Sequence, residues 1–243
     1  MRLREIDPEF RKPFSKKPNS LIDHYSSLER SSSTSQIKPL IFLVDFNNSP
    51  VLMPDTAYRK NQFQDLFFTE GLNSDNSSLP SNFNYNMSVR DYYDEISNNK
   101  LKIVGDDKSI IDWITAKHDY SYYVDGAQGT GEGSHGMSRS AAALVVEVAM
   151  AIEDEGFDFS QYDNGNGAID VVILIVAGKG GQTDNHFWPH MFVVPQYCEG
   201  ACGGNGLEDI DSNAPYNDDD YFSLDGVVIR KYIVIQEPVR VVC

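Results

Sequence analysis

Apolar residues in this chain come in short, separated runs, and the spacing inside each run distinguishes strands from helices. Residues 169–177 (IDVVILIVA) are the dominant run. They are too few to span a bilayer and rich in Val and Ile, which predicts a strand buried on both faces at the centre of a sheet. Residues 40–46 (LIFLVDF) have a strand's length and end in Asn47, Asn48 and Pro50, which are turn formers. Residues 101–104 and 191–194 read as short strands, the second stopped by Pro195. Residues 227–235 follow the Asp225-Gly226 turn as a further strand, and Arg230 and Lys231 near its middle suggest an edge position.

Phe63, Leu66 and Phe67 sit at helical spacing and predict a helix over 57–68. Ser88-Val89-Arg90-Asp91 resembles a capping box, in which the hydroxyl satisfies a free N–H and Asp91 meets the positive end of the helix dipole. The helix it opens carries Val89, Tyr92, Tyr93 and Ile96 on one face and stops at Asn98-Asn99. The strongest helical pattern is 140–155, with Leu144, Val145, Val148, Ala149 and Ile152 as its stripe and Gly156 just past its end. Residues 105–123 look irregular, 126–138 are a Gly-rich lead-in to the strongest helix, and 197–221 are an acidic insertion. Residues 1–38 are polar, Ser-rich and broken by prolines, which predicts a tail or linker. The remainder, 39–243, is long enough to bury the core of one α/β domain.

Charge sharpens this picture. The net charge of -16 is unevenly spread, since residues 1–30 hold seven Lys/Arg against five Asp/Glu. Residues 157–226 carry twelve Asp/Glu and one basic residue, Lys179. So acidic a body repels phosphate backbones, which argues against a nucleic-acid partner. No run is long enough for a membrane span, and the first thirty residues have no apolar core of a secretory signal. Cys198 and Cys202, in CEGACGG, are close enough for a small disulfide loop; the third cysteine is Cys243.

Three constellations carry candidate chemistry. Residues 131–138 (GEGSHGMS) have the frame of a phosphate loop, but Met137 stands where the phosphate-binding lysine belongs, so nucleotide binding is rejected. His186 and His190 have the spacing of a zinc pair, yet Pro189 is badly placed in a helix and Phe187 occupies the position of the basic glutamate. Trp188, Pro189 and His190 are instead read as a structural loop, with Trp188 packed into the core and His190 as a polar anchor. Asp163, Asn166 and Asp170 supply oxygens on an Asn- and Gly-rich turn, which leaves calcium binding and a plain Asx-type turn both open.

Taken in order, IFLVDF (41–46), SVRDYYDEISNNKLKIVGD (88–106), FDFSQYDNGNGAIDVVILIVAGKG (157–180), FWPHMF (187–192) and DGVVIRKYIV (225–234) resemble the secreted zinc metallopeptidases of the immune inhibitor A type, peptidase family M6. The resemblance covers about residues 40–237. It implies a zincin-like α/β domain, a twisted sheet with backing helices, acting outside the cell on protein or peptide substrates with zinc. In that family, zinc rests on an H-E-x-x-H helix, and this sequence contains no His-Glu pair. The reading that follows is a metallopeptidase domain incomplete at its C-terminal side and inactive as given. The alternative is a non-catalytic pseudo-peptidase used for binding or adhesion and stabilised by calcium.

Overall fold

A computed structural model of the chain describes residues 34–47, 58–80, 87–163, 165–178, 181, 185–198 and 206–236. By its contacts the chain from Gln36 to Cys243 is one unit, and of Met1–Ser35 only Thr34 and Ser35 are described. In chain order the strands are β1 (Ser35–Ile37), β2 (Leu40–Asp45), β3 (Leu101–Ile103), β4 (Ile110–Thr115), β5 (Val172–Val176), β6 (His190–Val193), β7 (Ser223–Leu224), β8 (Val227–Val228) and β9 (Lys231–Gln236). The helices are α1 (Lys60–Phe68), α2 (Val89–Ile96), α3 (Tyr120–Val124), α4 (Ala141–Asp154) and α5 (Leu207–Ile210).

The main sheet runs β4-β2-β5-β9-β6, with β1-β3 and β7-β8 as separate two-stranded pieces. Its first four strands are parallel, and β6 lies antiparallel to β9 at one end. The run 169–177 takes the central place because helices cover both faces of the sheet there, and all five residues of β5 are buried. Leu40, Phe42 and Val44 of β2, Val172, Leu174 and Val176 of β5, and Tyr232 and Val234 of β9 share one core with Leu144, Val145 and Val148 of α4. Ile41, Leu43, Ile173 and Ile175 turn the other way, onto Phe63, Phe67 and Phe68 of α1. Each large apolar side chain so buried contributes about 1.5–3 kcal/mol before chain entropy is counted.

The Ser88 cap acts as read, and Ser140 caps α4 in the same way. The Ser88 hydroxyl accepts the Asp91 N–H (3.0 Å) at the start of α2, and the Ser140 hydroxyl accepts the Ala143 N–H (3.2 Å) at the start of α4. Among the described residues, no helix is long and apolar enough to cross a membrane.

Two local expectations need correction. The stretch read as irregular contains β4, which pairs with β2 in parallel. The run 227–235 is two elements, β8 in a hairpin with β7 and then β9, and β9 is an interior strand between β5 and β6. Arg230 and Lys231 are tolerated because they fall where the chain enters β9, with the Arg230 guanidinium over the Tyr221 ring at 4.6 Å. On the face read for α2, Tyr92, Tyr93 and Ile96 are exposed. Of the predicted tail, Ser35–Ile37 forms β1, whose Ile37 carbonyl accepts the Val104 N–H (2.9 Å); residues 1–33 lie outside the described residues.

Candidate functional site at the open edge of the sheet

Strand β6 ends the sheet, and backbone parity fixes what it presents. The Val194 N–H donates to the Arg230 carbonyl (3.0 Å). The register pairs His190 with Val234, Met191 with Ile233, Phe192 with Tyr232 and Val193 with Lys231. Hydrogen-bonded pairs alternate along an antiparallel ladder, so His190, Phe192 and Val194 spend their main-chain groups on the β9 side. The N–H and C=O groups of Met191 and Val193 therefore point away from the sheet. Among the described strands, none pairs with that side. Side chains follow the same parity: His190 and Phe192 share the α4 face with Tyr232, and Met191 and Val193 lie on the other.

Beside this edge lies a groove of about 450 Å³, lined from the edge by Trp188, all four residues of β6 and Pro195, and opposite them by Thr130, Gly131, Glu132 and Met137. Its lining is mostly apolar, with Trp188, Met191, Phe192 and Val193 all exposed.

The anchor of the first wall is Phe187. It is fully buried and packs edge-on against Tyr120 at 5.2 Å and face-on against Phe46 at 6.3 Å. Its N–H donates to the Tyr120 hydroxyl (2.9 Å), and its carbonyl accepts the Gln236 amide (2.8 Å). With Phe187 turned inward, Trp188 turns outward. The expectation that Trp188 packs into the core is thus corrected: it is half exposed, and its neighbour takes the buried place. The Trp188 N–H donates to the Gln128 carbonyl (3.1 Å), and the Trp188 carbonyl accepts His190 Nδ1–H (2.7 Å). With Nδ1 as donor, His190 Nε2 accepts the Tyr232 hydroxyl proton (3.2 Å). Burial holds His190 below the ordinary imidazole range and pushes the Tyr232 phenol up, so both are neutral at pH 7.

The opposite wall is held by Asp125, whose own backbone is left-handed (φ 47°). One carboxylate oxygen meets His135 Nδ1 at 2.7 Å, and the other accepts the His135 N–H at 2.9 Å. Partial burial would raise the Asp125 carboxyl, but the hydrogen bonds and charge of His135 outweigh it and hold the group below the usual range. Met137 is buried beside Gly131, close enough that a side chain on Gly131 would collide with the Met137 sulfur.

The other sequence-predicted residues fall elsewhere. Asp163 Oδ1 accepts the N–H groups of Gly165, Asn166 and Gly167 (2.9, 3.0 and 2.8 Å), and Asn166 Oδ1 accepts the Ala168 N–H (2.9 Å). Asp170 Oδ2 accepts the Lys38 N–H (2.9 Å). These oxygens are thus engaged by backbone donors of two different segments. Cys198 is disulfide-bonded, and Cys202 lies outside the described residues.

A mixed α/β domain, built on a mostly parallel twisted sheet with an apolar groove at its one antiparallel edge, has a build compatible with a peptidase. The catalytic domain of immune inhibitor A peptidase M6 matches residues 31–209, well over half of the chain, and the chain belongs to that family. No curated protein matches it. Membership points to a metallopeptidase with protein or peptide substrates.

Among the described residues, no three His, Cys, Asp or Glu side chains come together as a metal site. Both His190 nitrogens are engaged by Trp188 and Tyr232, and the His118 ring stacks on Tyr122 at 4.0 Å.

Proposed function

We propose that this chain serves peptide-bond hydrolysis as the substrate-docking part of a zincin-like zinc metallopeptidase domain acting outside the cell. The observation that carries this reading is the outward main chain of Met191 and Val193 beside an apolar groove. An extended peptide laid along that edge adds one strand to the sheet; backbone hydrogen bonds hold it and the groove takes its side chains. The 243 residues contain no H-E-x-x-H, so no bond-breaking step is assigned to any residue of this chain.

The test is Val193→Pro. Proline removes an outward N–H and no bond to β9, and edge strands tolerate it. The variant keeps the wild-type melting curve and loses affinity for extended peptides by roughly tenfold, the worth of one or two hydrogen bonds. Unchanged peptide affinity would sink the docking mode. Purified wild-type chain leaves casein intact with zinc present, and zinc-dependent cleavage would overturn the assignment of docking alone.

A further inference from the structure

The chain contains three Asn-Gly pairs, Asn164-Gly165, Asn166-Gly167 and Asn205-Gly206. This pairing is the one most open to spontaneous deamidation, because asparagine is thermolabile and glycine has no side chain to hinder attack by its own nitrogen. We propose that Asn166 is a site of intramolecular deamidation held shut by the Asp163 carboxylate, and that Asp209 guards Asn205 in the same way.

The reaction begins at the glycine nitrogen. In Asn166-Gly167 the Gly167 N–H gives up its proton, the nitrogen bonds to the side-chain carbonyl carbon of Asn166, and the bond from that carbon to Nδ2 breaks with release of ammonia. Water then opens the five-membered imide at either of its carbonyls, which leaves aspartate or isoaspartate at position 166. One side-chain amide and one water thus become a carboxyl group and ammonia, with no oxidant or reductant involved. The step that the fold can govern is the first.

In all three pairs the glycine N–H is committed to a carboxylate. Asp163 Oδ1 accepts the N–H groups of Gly165 (2.9 Å) and Gly167 (2.8 Å), and Asp209 Oδ2 accepts that of Gly206 (2.9 Å). A charge-assisted bond of this kind keeps the proton on nitrogen, and the negative charge beside it disfavours the amide anion that must form. The bonds from Gly167 and Gly165 hold the Asp163 carboxyl below the usual range, so it is ionised at neutral pH. The group under attack is held as well, since Asn166 Oδ1 accepts the Ala168 N–H (2.9 Å). Asn166 is otherwise exposed to the water that completes the reaction. Conversion would register in the fold: isoaspartate lengthens the main chain by one methylene just ahead of Gly167, whose carbonyl accepts the Val228 N–H (2.9 Å), and of Ala168, which bridges to Val228.

Peptide mass spectrometry after ageing the full chain at mildly alkaline pH, below its melting transition, measures conversion at each asparagine. Asp163→Ala raises conversion at Asn164 and Asn166 by roughly tenfold, the rate equivalent of one charge-assisted hydrogen bond, and leaves Asn205 at the wild-type rate. Asp209→Ala does the reverse. Asp163→Asn keeps an acceptor oxygen without the charge; its rate at Asn166 falls between those of wild type and Asp163→Ala, and it serves alone if the alanine variant does not fold. An unchanged rate at Asn166 in the Asp163 variants would overturn the guard, and a slower one would make the carboxylate a base that promotes the reaction. A rise at all three asparagines together in Asp163→Ala would overturn it too, because general loosening of the fold, and not one carboxylate, would then set the rate.

Discussion

His190 Nε2 lies 3.2 Å from the Tyr232 hydroxyl, and the two rings meet edge to face at 5.6 Å. The outermost strand is thus tied to its neighbour through side chains as well as through the ladder, and the tie depends on a neutral imidazole that accepts a proton.

That dependence gives the edge a pH response. Burial holds the His190 pKa below its ordinary value, whereas in the unfolded chain the group titrates near about 6.5. Below that pH the unfolded chain binds a proton that the folded chain refuses, so stability falls as pH drops toward the folded pKa and is flat above. The melting temperature drops between about pH 7.5 and about pH 5.5, and part of that drop disappears in His190→Gln. A pH profile identical in the variant would contradict this account. Tyr232→Phe, which strips His190 of its donor inside the sheet, costs about 1–2 kcal/mol in urea unfolding at pH 7.

Phe187 and Trp188 divide the work of one loop. Phe187→Ala empties a site between Phe46 and Tyr120 and costs about 3–5 kcal/mol. Trp188→Ala removes a half-exposed ring and shifts stability by no more than about 0.5 kcal/mol. Denaturant midpoints measure both, and a reversed order would return Trp188 to the core.

The contrast between these two neighbours marks what the sequence could disclose. Strand β5 and helix α4 were legible because each carries its whole signal locally, the first as an unbroken apolar run and the second as a stripe closed by Ser140 and Gly156. Strand β4 was not, because in IIDWIT only Ile110 is fully buried, and its strand state comes from pairing with β2. Aromatic content alone could not say which of Phe187 and Trp188 faces inward. That choice is made by Tyr120 and Phe46, far away in the chain. The groove was invisible for the same reason. Its walls come from 130–137 and 188–195, and the bond from Trp188 to Gln128 is what brings them together. The Gly-rich segment read as a flexible lead-in is one of those walls.

Asp163 offers a test of the acidic turn. The N–H groups of Gly167 and Gly165, with that of Asn166, hold its carboxyl below the usual range. A depressed carboxylate stabilises the fold above its unfolded pKa, about 3.9, and the contribution is lost as pH falls through the lower folded value. Asp163→Ala therefore lowers the melting temperature at pH 7, and the gap to wild type narrows in acid. Because Asp163 Oδ1 already serves three backbone donors and Asp170 serves Lys38, millimolar calcium leaves the wild-type melting temperature where it was. A calcium-dependent rise would restore the metal reading of this turn.

Gly129 joins the two walls of the groove, and a single methyl there reads their coupling. Its N–H donates to the Val124 carbonyl at the end of α3 (3.1 Å), and its carbonyl accepts the Ala141 N–H at the start of α4 (2.9 Å). Its φ of +77° is left-handed, and a Cβ would run into the Phe187 ring. Gly126, three residues earlier, also has a left-handed φ (+66°) but nothing within 4 Å of the same added atom. Gly126→Ala therefore pays the backbone term alone, roughly 1–2 kcal/mol. Gly129→Ala adds overpacking worth about 1–3 kcal/mol and displaces Phe187, and with it the Trp188 wall. Urea midpoints rank the two variants, and peptide titration separates them further. Gly126→Ala retains wild-type affinity at temperatures where it is folded, whereas Gly129→Ala binds more weakly even when fully folded, because its defect lies in the wall itself. Equal affinity in the two folded variants would mean that the walls are independent and that Phe187 does not transmit between them.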